Sequence, residues 1–171
     1  MSDMIKAMNP TAPITTEAEA EAAARSSAIS IFIGVIVGII SVIWLITNPQ
    51  DVTAALAESG MDSEAAAAGA AMGAQLALWS TAGLAVIQLI FGFVQWKNPK
   101  KFIAILFIVL IVLGLLSSLA APLMAGMPGA VAVPLWQTVL SVVILIVQLV
   151  LHFAGLRGMN KLDALQMNAA R

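Results

Sequence analysis

The chain predicts an all-α integral membrane protein, with four transmembrane helices in an up-down bundle. Three observations carry that expectation. The 171 residues are 61% hydrophobic and only 10% charged, against roughly 25% charge in soluble domains, so a soluble fold of this size could not cover its apolar surface. Four stretches free of Asp, Glu, Lys and Arg divide the sequence, at about 26–47, 76–96, 102–121 and 135–156. The eight basic residues all fall in segments that an even number of crossings puts on one side. Lys6 and Arg25 precede the first stretch, Lys97, Lys100 and Lys101 separate the second from the third, and Arg157, Lys161 and Arg171 follow the fourth. Basic residues stay cytoplasmic during insertion. The expected topology is therefore N-in/C-in, in the bacterial inner (cytoplasmic) membrane.

Residues 1–25 read as a cytoplasmic tail. Its first fifteen residues, with Pro10 and Pro13, look loose, although Met4, Ile5 and Met8 can share one face of a short interfacial turn. Thr16 and Glu19 have the spacing of a capping box, which sets a helix start near 16. Glu17, Glu21 and Arg25 then recur every four residues on one exposed face. A cleaved secretory signal needs a charged n-region leading directly into a short apolar core. The polar, partly acidic lead here favours an uncleaved signal anchor instead.

Span one, Ser26 to Thr47, covers about 33 Å as a helix, enough for a hydrocarbon core of about 30 Å. Trp44 marks its outer end and Asn48-Pro49 stops it. The outer connection 48–75 carries Asp51, Glu58, Asp62 and Glu64 but no basic residue. Asp51 can cap a short helix running to Glu58, with Gly60 ending it. From Ala65 to Trp96 no residue is charged, which amounts to about 48 Å of helix, more than a bilayer requires. The Ala/Gly-rich part before Leu76 is too weakly apolar to be driven into lipid. It reads as a helical extension outside the membrane, or one packed on a partner. Trp79 marks the outer interface of span two, and Trp96 with Lys97 the inner one.

Span three runs from Phe102 to about Ala121 and ends at Pro122. The link from Met124 to Pro134 contains the turn formers Gly126, Pro128 and Gly129. Span four runs from Leu135 to about Leu156 with Trp136 at its outer end, and Gly158 precedes a polar cytoplasmic tail, 157–171. Leu78-Trp79-Ser80-Thr81 and Leu135-Trp136-Gln137-Thr138 open spans two and four alike, and the same register aligns Val86-Ile87 with Val143-Ile144. Two related helical hairpins would produce that match; so would interfacial tryptophans in unrelated spans.

Two faces stand out. Span one sets Ser26, Ser30, Gly34 and Gly38 at four-residue steps, and span two sets Gly69, Gly73 and Ala77 likewise. Helices in lipid associate through close backbone approach, so these ridges are helix-packing faces, within the bundle or toward a partner. Polar side chains form a second pattern: Thr81, Gln88 and Gln95 in span two, and Gln137, Ser141, Gln148 and His152 in span four. An amide in hydrocarbon needs a partner, so this stripe should face protein, as cross-bracing or as a pathway. His152 is the only histidine. It is either hydrogen-bonded structure or a ligand to haem or quinone, and bis-His haem would need a second chain.

The remaining signals are exclusions. With no cysteine, disulfides, thiolate metal sites and cysteine nucleophiles are ruled out. No ionisable acid or base other than His152 lies within a span, which argues against proton-coupled transport. The outer acids lack an EF-hand pattern, and P-loop, HExxH and GxSxG motifs are absent. A net charge of −1 makes no case for nucleic acid. The expected function is a non-catalytic accessory, scaffold or assembly subunit of a larger membrane complex, without cofactor. Its expected partners are membrane lipid and other membrane subunits or further copies of itself. The alternatives are a channel or carrier for a neutral or weakly polar solute along the Gln/Ser/His stripe, and a haem- or quinone-binding subunit using His152.

Overall fold

The computed structural model describes residues 2–48, 64–124 and 134–170. The described residues form five helices: α1 (Ser2–Met8), α2 (Glu17–Thr47), α3 (Glu64–Lys97), α4 (Lys101–Met124) and α5 (Leu135–Ala169). The last four are each long and apolar enough to cross a membrane. The short helix expected from Asp51 to Glu58 and the turn at Gly126–Gly129 lie outside the described residues.

Helix α2 starts where the capping box places it. Thr16 Oγ1 accepts the Glu19 N–H, and the Glu19 carboxylate reaches back to the Thr16 N–H at 3.2 Å. At its far end the Asn48 N–H closes onto the Trp44 carbonyl at 2.9 Å. Two helices outrun their expected ends. Pro122 lies inside α4, which continues to Met124, and α5 passes through Gly158 to Ala169. At 35 residues, α5 is about 52 Å long at 1.5 Å per residue, so it extends well past a hydrocarbon core of about 30 Å.

Helix α2 is the hub. It packs along α3 on one side and along α5 on the other, and α4 packs along α5. Each of these pairs is antiparallel: contacts with α2 descend α5 from Gly158 at Ala24 to Gln148 at Gly34, and descend α3 from Gly92 at Phe32 to Ala85 at Gly38. Helix α3 meets α4 where Phe91 stands edge-on to Phe107, with ring centroids 6.0 Å apart.

The core lies at the end that carries both termini and the Lys97–Lys101 turn. Ala20, Ala23, Ala24 and Ala28 of α2 are buried there, as are Ala104 of α4 and Ala154 and Met159 of α5. The cause is side-chain size. A Cβ on Gly155 would stand 2.5 Å from Ser27 Cβ, and one on Gly158 would stand 2.7 Å from the Ala23 carbonyl carbon. Small residues thus let the two backbones approach, and dispersion contacts replace the hydrophobic drive that lipid does not supply. Gly158, which by sequence precedes a polar tail, is instead a buried point of closest approach within a continuing helix.

The N-terminal segment also differs from a loose tail. Its helix α1 packs on α2. Arg157 donates to the carbonyls of Pro10 and Ala12, and Lys6 pairs with Glu19 at 3.3 Å. The same end carries Lys101–Asp163 at 2.6 Å and Arg25–Glu21 at 3.4 Å. The Arg25 guanidinium also lies over the Trp96 ring, 5.8 Å from its centroid. These pairs are largely exposed and stabilise weakly; the N-terminal segment is positioned by Lys6–Glu19 and by the Arg157 bonds.

Candidate functional site

Serines of α2, one glutamine of α3 and two polar side chains of α5 meet in a buried seam. The α2 sequence puts Ser26, Ser27 and Ser30 on the face turned to α5, and all three are buried. Ser26 Oγ donates to the Leu151 carbonyl at 3.0 Å, or to Ala23 of its own helix at 2.6 Å. Ser30 Oγ donates to the Gln148 carbonyl at 2.9 Å, and Gln148 Nε2 returns a bond to the Ser30 carbonyl at 3.1 Å. The two helices therefore exchange hydrogen bonds at the Ser30–Gln148 level. Ser27 Oγ sits 2.8 Å from His152 Nδ1 and receives Gln95 Nε2 at 3.3 Å. Gln95 Oε1 accepts the Lys100 N–H at 2.9 Å, which ties the end of α3 to the start of α4. Interhelical bonds of this type contribute about 0.6–1.7 kcal/mol each.

His152 is 0% exposed, and its ring lies nearly parallel to Phe107, at 14° with centroids 5.7 Å apart. Its Nε2 is the one buried side-chain polar atom without a hydrogen-bond partner among the described residues. The same ring forms part of the wall of a cavity of about 410 Å³. From α2 the wall takes Ser30, Gly34 and Gly38, from α5 Ser141 and Gln148, and from α4 Leu110, Ile111, Gly114 and Ser118. Gln88 is the only contribution of α3, so the cavity faces the seam between α3 and α4. Among the described residues no Asp, Glu, Lys or Arg lines it.

The residues singled out by sequence thus separate into three groups. Ser26, Ser30, Gly34 and Gly38 pack inside the chain's own bundle. A Cβ on Gly34 would meet Gln88 Oε1 at 2.8 Å and Gln148 Nε2 at 3.1 Å, and one on Gly38 would meet Ala85 at 3.3 Å. Gln95, Gln148 and His152 join the seam, with Gln88 and Ser141 at the cavity. Toward the end away from the termini, the Thr81 hydroxyl turns back to its own helix at the Ala77 carbonyl, 2.7 Å away, and Gln137 is half-buried near the start of α5. Among the described residues, no atom beyond their own helical turn comes within 4 Å of where a Cβ on Gly69 or Gly73 would stand, and Ala77 is exposed.

Ser27, Gly155 and Gly158 carry as much of this geometry as any residue chosen by spacing. Ser27 lies off the four-residue ridge, so spacing alone does not single it out. One available signal was the register of the two similar span starts, which aligns Gln95 with His152; both side chains bond the same Ser27 hydroxyl. Among the described residues no three His, Asp or Glu side chains come close enough together to hold a metal ion.

Four long apolar helices define the class: an integral, multi-pass α-helical membrane protein. Comparison of the chain with protein-family models, curated proteins and solved structures finds no match.

Proposed function

We propose that this protein is a non-catalytic assembly subunit of a membrane complex, with both termini cytoplasmic and its four spans crossing up and down. One observation carries the proposal: the outer half of α3 has a face that the described residues of its own chain leave uncovered. Gly69 and Gly73 face open space, and Met72, Leu76 and Trp79 are about 70% exposed. Its Gly69–Gly73 part precedes the strongly apolar stretch that begins at Leu76, so lipid does not cover all of it either. A second helix, from another subunit or a further copy, would bring van der Waals contact to the small-residue ridge.

The test is isolation at native expression in mild detergent. The expected result is a stable complex that Gly69→Leu and Gly73→Leu disrupt while the chain itself stays folded. Elution of the native protein as a lone stable monomer would sink the reading. Topology is checked separately in the cysteine-free background, by asking whether Thr11→Cys and Asn168→Cys label only from the cytoplasmic side.

The cavity favours a second reading, a carrier for a neutral solute. Its expected signature is flux into proteoliposomes that Gln88→Leu and Gln148→Leu abolish. Flux that survives both changes would remove that pathway. The two related hairpins find support in the shared Ser27 contact of Gln95 and His152.

A further inference from the structure

We propose that the cavity between α2, α4 and α5 binds an uncharged, lipid-borne carbonyl group, whose oxygen accepts a hydrogen bond from His152 Nε2–H. The cavity and the bonds leading to it carry this by themselves, independently of the assembly reading.

The direction of each hydrogen bond follows from what its atoms can do. The backbone N–H of Lys100 only donates, so the Gln95 amide atom facing it at 2.9 Å is the oxygen. The Gln95 nitrogen therefore faces Ser27 Oγ, and it too only donates, so Ser27 Oγ accepts there. A buried hydroxyl hydrogen needs an acceptor of its own. For Ser27 that acceptor is His152 Nδ1 at 2.8 Å. An imidazole that accepts at Nδ1 and is neutral carries its proton on Nε2. The relay thus leaves a single N–H donor, buried and without a partner among the described residues, on a ring that borders the cavity.

The walls select the occupant. A donor calls for an acceptor, and the absence of charged residues from the lining disfavours an anionic or cationic group. Most of the surface is aliphatic, from residues such as Ile31, Val37, Leu110 and Ile144. Water takes about 30 Å³ per molecule and needs two to four polar partners, which such a wall does not provide throughout about 410 Å³. A carbonyl on an apolar body fits both features. Two membrane molecules supply one: the acyl ester of a bilayer phospholipid and the ring of an isoprenoid quinone.

The single histidine makes the test selective. The full chain, labelled with nitrogen-15 in histidine alone, is reconstituted in phosphatidylethanolamine/phosphatidylglycerol vesicles. In one arm the acyl esters carry carbonyl carbon-13; in the other, unlabelled vesicles contain a carbonyl-labelled isoprenoid quinone. Solid-state NMR should find the proton on Nε2 and magnetisation transfer from that N–H to the labelled carbonyl. The arm giving transfer identifies the source. Ser118→Phe and, from the facing helix, Ser141→Phe fill the cavity; each should abolish the transfer while the Nε2–H tautomer persists. Ser27→Ala should spread the proton over both ring nitrogens and weaken the transfer. Protonation at Nδ1 in the wild type overturns the proposal. So does transfer to water alone in both arms, or transfer undiminished in a folded cavity-filled variant.

Discussion

Ser27 of α2 and His152 of α5 lie 125 positions apart in sequence and share a 2.8 Å hydrogen bond at the centre of the bundle's polar seam. Removing the hydroxyl strands His152 Nδ1 and leaves Gln95 Nε2 only its weak contact with Met159 Sδ at 3.9 Å. Leaving buried polar groups unsatisfied costs about 1–3 kcal/mol each, so Ser27→Ala should destabilise by at least that order. Ser41 is the control, because its hydroxyl bonds only the Val37 carbonyl of its own helix, and Ser41→Ala should change little. Unfolding titrations in mixed detergent micelles would compare the two. Equal effects would contradict the interhelical role given to Ser27.

Glycines of the same chain should respond in opposite ways. An added methyl at Gly155 or Gly158 meets α2 backbone and Ser27 Cβ, which cannot swing aside. Such overpacking costs about 1–3 kcal/mol or more. Gly155→Ala and Gly158→Ala should therefore lower thermal stability clearly. At Gly69 and Gly73 the space is open, and alanine is the better helix former by about 1 kcal/mol. Substitution there should leave the lone chain as stable or slightly more so. Thermal melts of the four variants in one detergent decide the matter.

The N-terminal clamp should open in acid. The Thr15 backbone N–H, then the Thr15 hydroxyl, the Thr16 N–H and Lys6, stabilise the ionised Glu19 carboxylate. Together they hold its pKa at about 2, below its ordinary 4.5. A carboxylate with a depressed folded-state pKa contributes stability above the unfolded value and loses it as protons bind. The contribution should thus be complete above pH 4.5 and fade as pH falls toward 2. Amide exchange at Thr15 and Thr16 measures this, and Glu19→Gln should remove the pH dependence in that window.

Arg157 holds residues 2–12 from the far end of the chain, through the carbonyls of Pro10 and Ala12. In Arg157→Ala those carbonyls lose their donors while the spans keep all their contacts. Tryptic cleavage after Lys6 should accelerate with no change in the stability of the bundle. Unchanged cleavage would mean that α1 is held by its packing and by Lys6–Glu19 without Arg157.

What the sequence made legible was periodic or local. Four uncharged runs, the Thr16–Glu19 spacing and the Ser26–Gly38 ridge can each be read within a few turns of chain, and each corresponds to an element or a contact face. Gly158 was not legible because a glycine after an apolar run looks like a stop. Its role depends on Ala23 and Ala24, which adjoin it only in the folded bundle. The docking of α1 was hidden for a similar reason, since an arginine bonding backbone carbonyls leaves no pattern in the partner's sequence. The polar stripe was visible as a set, but its division was not. Only the packing of α2 against α3 and α5 separates the seam at Gln95, Gln148 and His152 from Thr81, which satisfies itself on its own helix.

The location of the seam has a consequence for biogenesis. The partners of Ser26, Ser27 and Ser30 on α5 lie 118 to 125 residues further along the chain, in the fourth span, which is made after the other three. The first span must therefore wait in the bilayer with three hydroxyls whose final acceptors do not yet exist. A serine can bond a carbonyl one turn back in its own helix in the meantime, as Ser26 does to Ala23 even in the finished bundle. Closure then becomes a late event, triggered by arrival of the fourth span. A ribosome stalled before Leu135 would hold an inserted but open molecule, whose first helix is available to quality-control proteases and whose cavity has yet to gain its histidine.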